Sequence, residues 1–351
     1  MMPYSYIKMP LRTASALAFT AAFSVGALMF MKFRTRKKLV HPDRYVVLIS
    51  GCDTGLGFSL ASHCQELGLS VLAGSHLIEL DFTDFSTIQN ALKETKQYLQ
   101  LNPEKELGAV VNNAAVMCFG EFEWLTKDII DHQIQVNFTG TLHFTNTFCS
   151  LVRESKGRII NITSHCADAC LPGLSVYGAT KAALKAWNDA LRIELSKFDV
   201  RVISFLPGAF FGQSNILANQ RERTAEMEAN MPKKDLQIYE DYFKRYFNYI
   251  HSFSLKVPAR QIENEEIYEK FTDALLAENP YPHYKISPFK YSFYHFLFKV
   301  VPTKVKDKLV ERLSIFMPQI LLVVAEFVPM AISRGAGTSR PGNWQFPISC
   351  A

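Results

Sequence analysis

Apolar and polar positions along this chain follow two rhythms, and the two alternate. Short runs rich in β-branched residues occupy residues 44–49, 70–74, 108–111, 158–162 and 200–206. Apolar runs of that length fit strands of a parallel sheet covered on both faces. Between them lie longer stretches of helical period, the first reaching about residue 67. Strands alternating with helices of ten or more residues predict an α/β fold built on a doubly wound parallel sheet. A helical stripe also marks residues 236–253, where Leu236, Tyr239, Phe243, Tyr246, Ile250 and Phe253 recur three or four apart. It predicts an amphipathic helix that either packs on the core or lines a pocket.

The two ends break this pattern. Residues 13–31 form an uncharged run of 19, which at ~1.5 Å per helical residue spans roughly 28 Å, close to a bilayer core. An N-terminal transmembrane helix is the leading expectation. Lys8 and Arg12 precede the run, whereas Lys32, Arg34, Arg36, Lys37 and Lys38 follow it. That bias places the following domain on the cytosolic side, as in an endoplasmic reticulum protein. A mitochondrial presequence stays open, because no acidic residue occurs before Asp43. Near the other end, residues 315–332 are apolar but broken by Pro318, Glu326 and Pro329. With Tyr291, Phe293, Tyr294, Phe296 and Phe298 upstream, they read as a membrane-surface helical region, with burial against the main domain as the rival. The expected organisation is an anchor and basic linker (1–44), a main domain (45–284), a membrane-associated segment (285–332) and a disordered tail (333–351).

Composition narrows the function. At 351 residues and 48% hydrophobic, the chain can bury one large core. The net charge of +5 is gathered largely in the basic linker, which argues against a nucleic-acid surface. Seven scattered cysteines with no C-x-x-C pair suggest neither a disulfide framework nor a zinc site.

The candidate chemistry lies at strand ends. Tyr177 and Lys181 are four residues apart, so on a helix they share a face, and the ammonium would lower the phenol pKa toward working pH. Tyr177 then suits general acid/base work. Ser164, delivered by the run at 158–162, could hydrogen-bond a substrate oxygen. The first strand runs into Ser50-Gly51-Cys52-Asp53-Thr54-Gly55-Leu56-Gly57. Such a strand, glycine turn and helix can cradle a pyrophosphate at the helix N-terminus. Asn112 and Asn113 end the third run and could bond either a neighbouring strand or a cofactor. Asn137 and Asn161 open N-x-T sequons, but glycosylation is rejected for a core strand in a cytosolic domain.

These motifs, in this order, resemble the short-chain dehydrogenase/reductase family over about residues 45–284. The resemblance implies a Rossmann-like domain with Asn137, Ser164, Tyr177 and Lys181 as a catalytic tetrad. It also implies NAD or NADP as cofactor, held by Gly51, Asp53, Gly55, Leu56, Gly57, Asp81, Asn112, Ala114, Tyr177, Lys181, Pro207 and Gly208. Within the family, the chain looks like the cluster of hydroxysteroid, retinol and 3-hydroxybutyrate dehydrogenases. The resemblance therefore implies a hydride transfer on a hydroxyl or carbonyl of a steroid, ecdysteroid precursor or retinoid. Self-association into a homodimer is left open.

Three positions depart from the family pattern. Ala115 stands where the family has glycine, and Gly212 replaces a threonine. Residues 70–74 and 76–81 leave no room for a crossover, so a single merged strand and a sheet one strand short are expected. The loop that distinguishes the two cofactors falls in that stretch. With no basic residue in the glycine turn to meet a 2′-phosphate, NAD is slightly preferred. Between Ser164 and Tyr177 there is no Lys or Arg, and His165 is the only candidate positive charge to hold a carboxylate, so a bulky apolar alcohol or ketone is expected rather than a small hydroxy acid. A silent relative that keeps the fold as a binding or scaffold module remains the alternative.

Overall fold

The structure, a computed structural model, describes residues 42–72, 79–208, 210, 213–252, 254, 256, 258, 260–287, 296–298 and 300–315. The expected membrane helix, Gly74, Gly212, Phe253, Tyr291, Phe293, Tyr294, residues 316–332 and the tail lie outside the described residues. Among the described residues, no helix is long and apolar enough to cross a membrane.

Six strands form one parallel sheet: β1 (Tyr45–Ile49), β2 (Ser70–Val71), β3 (Glu106–Asn112), β4 (Arg158–Ile162), β5 (Arg201–Leu206) and β6 (His283–Lys285). Their spatial order is β2-β1-β3-β4-β5-β6, every neighbouring pair parallel. Helices cover both faces, as the alternation of side chains along each strand requires. Val47 and Ile49 point into one core with α1 (Gly55–Glu66) and α8 (Glu265–Leu276). Val46 and Leu48 point into the other, with α2 (Phe85–Leu101), α4 (Thr141–Glu154) and α5 (Ser175–Ser196). Both faces are therefore apolar, which explains the continuous apolar runs in the sequence. Chain order reverses between β1 and β3, and an open α/β sheet presents its binding crevice at the carboxyl ends of the strands there.

The merged strand expected across residues 70–81 is corrected. Pairing with β1 is confined to Val46↔Ser70 and Val47↔Val71, and Glu79 to Asp81 belong to no strand. Local bonds explain why the chain turns there. The Asp81 carboxylate accepts from the Thr83 N–H and hydroxyl, both at 2.8 Å, and Asp84 caps α2 through the Ser86 N–H at 2.8 Å. The described sheet has six strands, as the missing crossover implied.

A third cluster caps the carboxyl edge. Helix α7 (Lys233–His251) carries the predicted stripe, and it packs on the core. Phe243, Phe247 and Ile250 are buried, and Trp124 lies 5.1 Å from the Phe243 ring and 5.4 Å from that of Tyr246. Further helices among the described residues are α3 (Lys127–Ile134), α6 (Gln220–Asn230) and α9 (Thr303–Ile315).

Candidate active site

The turn after β1 is held open by its glycines and tied down by one serine. Gly51 and Gly55 have φ of 68° and 60°, which side-chain-bearing residues rarely adopt. At Gly57 the constraint is space, because a Cβ there would stand 2.0 Å from the Gly51 carbonyl oxygen. Ser50 Oγ accepts from the N–H groups of Asn113 (3.1 Å) and Ala114 (3.0 Å), locking the turn against the end of β3. Thr54, the residue before α1, makes no side-chain cap, so nothing from its side chain occupies the first-turn N–H groups. Thr54 also lines the cleft, and such an uncapped helix start suits an anionic pyrophosphate.

The two asparagines at the end of β3 divide the work. Asn113 Nδ2 donates to the carbonyls of Ser50 (2.9 Å) and Gly51 (2.8 Å), and Asn113 lines the cleft. Asn112 lies behind it, 5% exposed, donating to Asn161 Oδ1 at 2.6 Å and Thr145 Oγ1 at 2.8 Å. Asn161 in turn donates to Asn188 Oδ1 at 2.8 Å. These amides cross-link β3, β4 and α5, so Asn112 lies behind the cleft and Asn113 is the asparagine that lines it. Asn137 and Asn161 are both fully buried, which removes both sequons as glycan acceptors.

Asn137 lies in a π-helical turn, Gln135–Gly140, that joins α3 to α4. Widened turns of this kind reposition a side chain locally. Its amide brackets one residue, accepting from the Val116 N–H at 2.8 Å and donating to the Val116 carbonyl at 2.8 Å. A longer contact of 3.3 Å reaches Thr180 Oγ1 on α5. Asn137 does not line the cleft; it fixes the segment that does.

Tyr177 and Lys181 share the inner face of α5, and the Lys181 Nζ lies 5.8 Å from the Tyr177 ring centroid. Nζ donates to the Ile162 carbonyl at 3.1 Å, pinning the lysine to the end of β4. Burial pushes Lys181 down to about 8. The pKa expected for Tyr177 is corrected: burial raises it above the ordinary phenol value, while a hydrogen bond with Ser164 pulls in the opposite direction. Desolvation disfavours the charged phenolate and is the largest cause of the rise. As folded, burial favours the neutral phenol at Tyr177.

One cleft of about 340 Å³ collects most of the predicted residues. Gly51, Asp53, Leu56, Ala114, Ser164, Tyr177, Lys181, Pro207 and Gly208 line it, as does Phe210. Gly55 and Gly57 shape the turn without lining it, and Asp81 is engaged by Thr83 outside it. The sequence reading missed Thr54, Thr163 and the segment from Ser214 to Ile216. Thr54 and Thr163 sit beside residues it did name, whereas the Ser214 segment carries no motif. Ala115, the alanine at a family glycine, has no positive φ, since Lys156 and Asp199 are the only such non-glycine residues among those described. The turn, the cleft and the buried lysine together fit a dinucleotide.

Comparison with known proteins agrees with this geometry. Residues 74–224 match the family model described as short chain dehydrogenase. Estradiol 17-beta-dehydrogenase 2 of Mus musculus is 32% identical over 269 residues, covering 69% of this chain and 68% of that protein. The mitochondrial D-beta-hydroxybutyrate dehydrogenase of Rattus norvegicus is 29% identical over 262 residues, covering 68% and 75% respectively. A short chain dehydrogenase of Burkholderia cenocepacia J2315, solved in complex with NADP, shares the fold with a TM-score of 0.54 at 21% identity, over 77% of this chain and 97% of that one. With its strand order, glycine turn and buried Tyr177 and Lys181, this chain belongs to the short-chain dehydrogenase family of nicotinamide-dependent oxidoreductases.

Proposed function

We propose that the chain moves a hydride between a nicotinamide cofactor and a hydroxyl or carbonyl group of a lipophilic substrate, in the manner of a steroid or retinoid dehydrogenase. One observation carries this reading: Tyr177, Lys181 and Ser164 share a single cleft with the glycine turn. Tyr177 is the acid/base, giving its phenolic proton to a ketone oxygen or taking one from an alcohol. Ser164 donates a hydrogen bond to the same oxygen, Lys181 supplies positive charge beside the phenol, and Asn137 holds the Val116 segment in place. The cofactor, when bound, supplies or accepts the hydride. Gly51, Asp53, Leu56 and Ala114 would hold its phosphate end, and Lys181, Pro207 and Gly208 its nicotinamide end.

Several finer assignments rest on the same reading. NAD is favoured over NADP because residues 50–57 include no basic side chain for a 2′-phosphate. An apolar substrate is favoured because Phe210 and Met117 line the cleft, and burial pushes the His165 imidazole toward its neutral form. Residues 13–31 anchor the chain, with the domain from residue 45 in the cytosol at the endoplasmic reticulum. Exposed Phe296, Val300 and Val305 support a membrane-associated segment from residue 285.

Titration with NADH and NADPH, followed by nicotinamide fluorescence, tests the proposal. Binding of neither cofactor would overturn it and favour a silent binding module. Turnover on steroid alcohols, retinol and 3-hydroxybutyrate then identifies the substrate class. Tyr177→Phe is expected to lose about a thousandfold in kcat, and retained activity would refute the role given to Tyr177.

A further inference from the structure

Ser164 is held from one side by its own loop. Its backbone is extended, with φ −146° and ψ 156°, and its Oγ accepts from the Cys166 N–H at 3.2 Å. The next residue reaches the other way. His165 Nε2 lies 3.1 Å from the Ile286 carbonyl oxygen. A carbonyl only accepts, so Nε2 carries the hydrogen.

Ile286 extends the outermost pairing of the sheet, its N–H donating to the Leu206 carbonyl at 2.9 Å just beyond the Leu206↔Lys285 register. The same carbonyl faces a second functional segment. A Cβ on Gly208, which has φ 87°, would stand 3.2 Å from it. The Ile286 carbonyl thus lies between the loop that carries Ser164 and the Pro207-Gly208 turn. The two segments come from β4 and β5, and His165 is a side chain of the Ser164 loop that bonds just beyond the end of β6.

We infer that His165 is a positioning residue, which sets the distance of Ser164 from the Pro207-Gly208 end of the cleft by anchoring its loop to Ile286. The inference rests on the proposed function, because it needs Ser164 to act on a substrate oxygen. A loop freed by loss of this bond leaves the serine present but misplaced, and misplacement on the ångström scale lowers a rate by about a hundredfold.

His165→Ala is expected to lower kcat about tenfold to a hundredfold, while the NADH Kd and the Tm stay near those of the parent. His165→Gln, whose amide N–H can reach the same carbonyl, is expected to recover kcat to within a few-fold. The decisive arm is the pair with Ser164→Ala. If His165 acts through Ser164, the double variant is no slower than Ser164→Ala alone, because residues that act as a unit are not additive. Multiplying losses, equal rates for the alanine and glutamine variants, or a parallel fall in NADH affinity would each overturn the inference. A parent chain that binds NADH yet is inert on every alcohol and ketone tested would overturn the proposed function and this inference together. An active parent with an unaffected His165→Ala variant would overturn this inference alone.

Discussion

The two ends of the cleft are built by different means. At the catalytic end, contacts join residues far apart in sequence: Asn137 to Val116 across 21 positions, Lys181 to Ile162 across 19, and Asn112 to Asn161 across 49. At the β2 end, the sheet edge offers two paired residues, and Asp81 spends its carboxylate on Thr83, two positions away. Long-range bonds between buried groups fix geometry, because a lost partner leaves a desolvated group with no substitute in water. Local turn bonds fix only the chain's own course. The catalytic wall and the glycine turn, which Ser50 and Asn113 tie to the end of β3, are therefore held more firmly than the sheet edge at β2 beside them.

Perturbing each end measures that difference. Gly57→Ala is expected to act most strongly, since its Cβ meets a backbone oxygen at 2.0 Å and the turn must shift. NADH affinity should fall at least about a hundredfold, ~2.7 kcal/mol, by fluorescence titration; a change under threefold would mean that the turn yields freely. Asn137→Ala comes next. It strands the N–H and carbonyl of Val116 and should cost about 2 kcal/mol in urea unfolding. A loss below about 0.5 kcal/mol would show that this wall is no more firmly held than a surface loop. Val71→Ala, in the two-residue strand, is the mildest. Removing part of a side chain that is 2% exposed should cost about 1 kcal/mol and weaken NADH binding about threefold, with kcat at saturating NADH unchanged. A fall in kcat would show that the two ends are mechanically coupled.

Legibility in the sequence follows the same division. Strand β4 was predicted at its observed bounds, and β1, β3 and β5 to within two residues at each end, because burial on both faces gives each a continuous apolar run. Tyr177 and Lys181 were legible because helical spacing alone puts i and i+4 on one face. The choice between Asn112 and Asn113 was not, since adjacent strand residues point to opposite sides and only the sheet's register says which side is the cleft. Helix α7 showed its stripe, yet the Trp124 ring that the stripe covers comes from a segment more than a hundred positions earlier.

By itself the sequence determined the alternation of strands and helices, the glycine turn and the pairing of Tyr177 with Lys181. Each depends on residues close in the chain, whose propensities and spacing act locally. Tertiary structure decided that Asn113 rather than Asn112 meets the cleft, that His165 ties the serine loop to Ile286, and that burial raises Tyr177 against the pull expected from Lys181. Those outcomes depend on desolvation and on contacts between distant segments, and both come into being only when the sheet assembles and water is expelled.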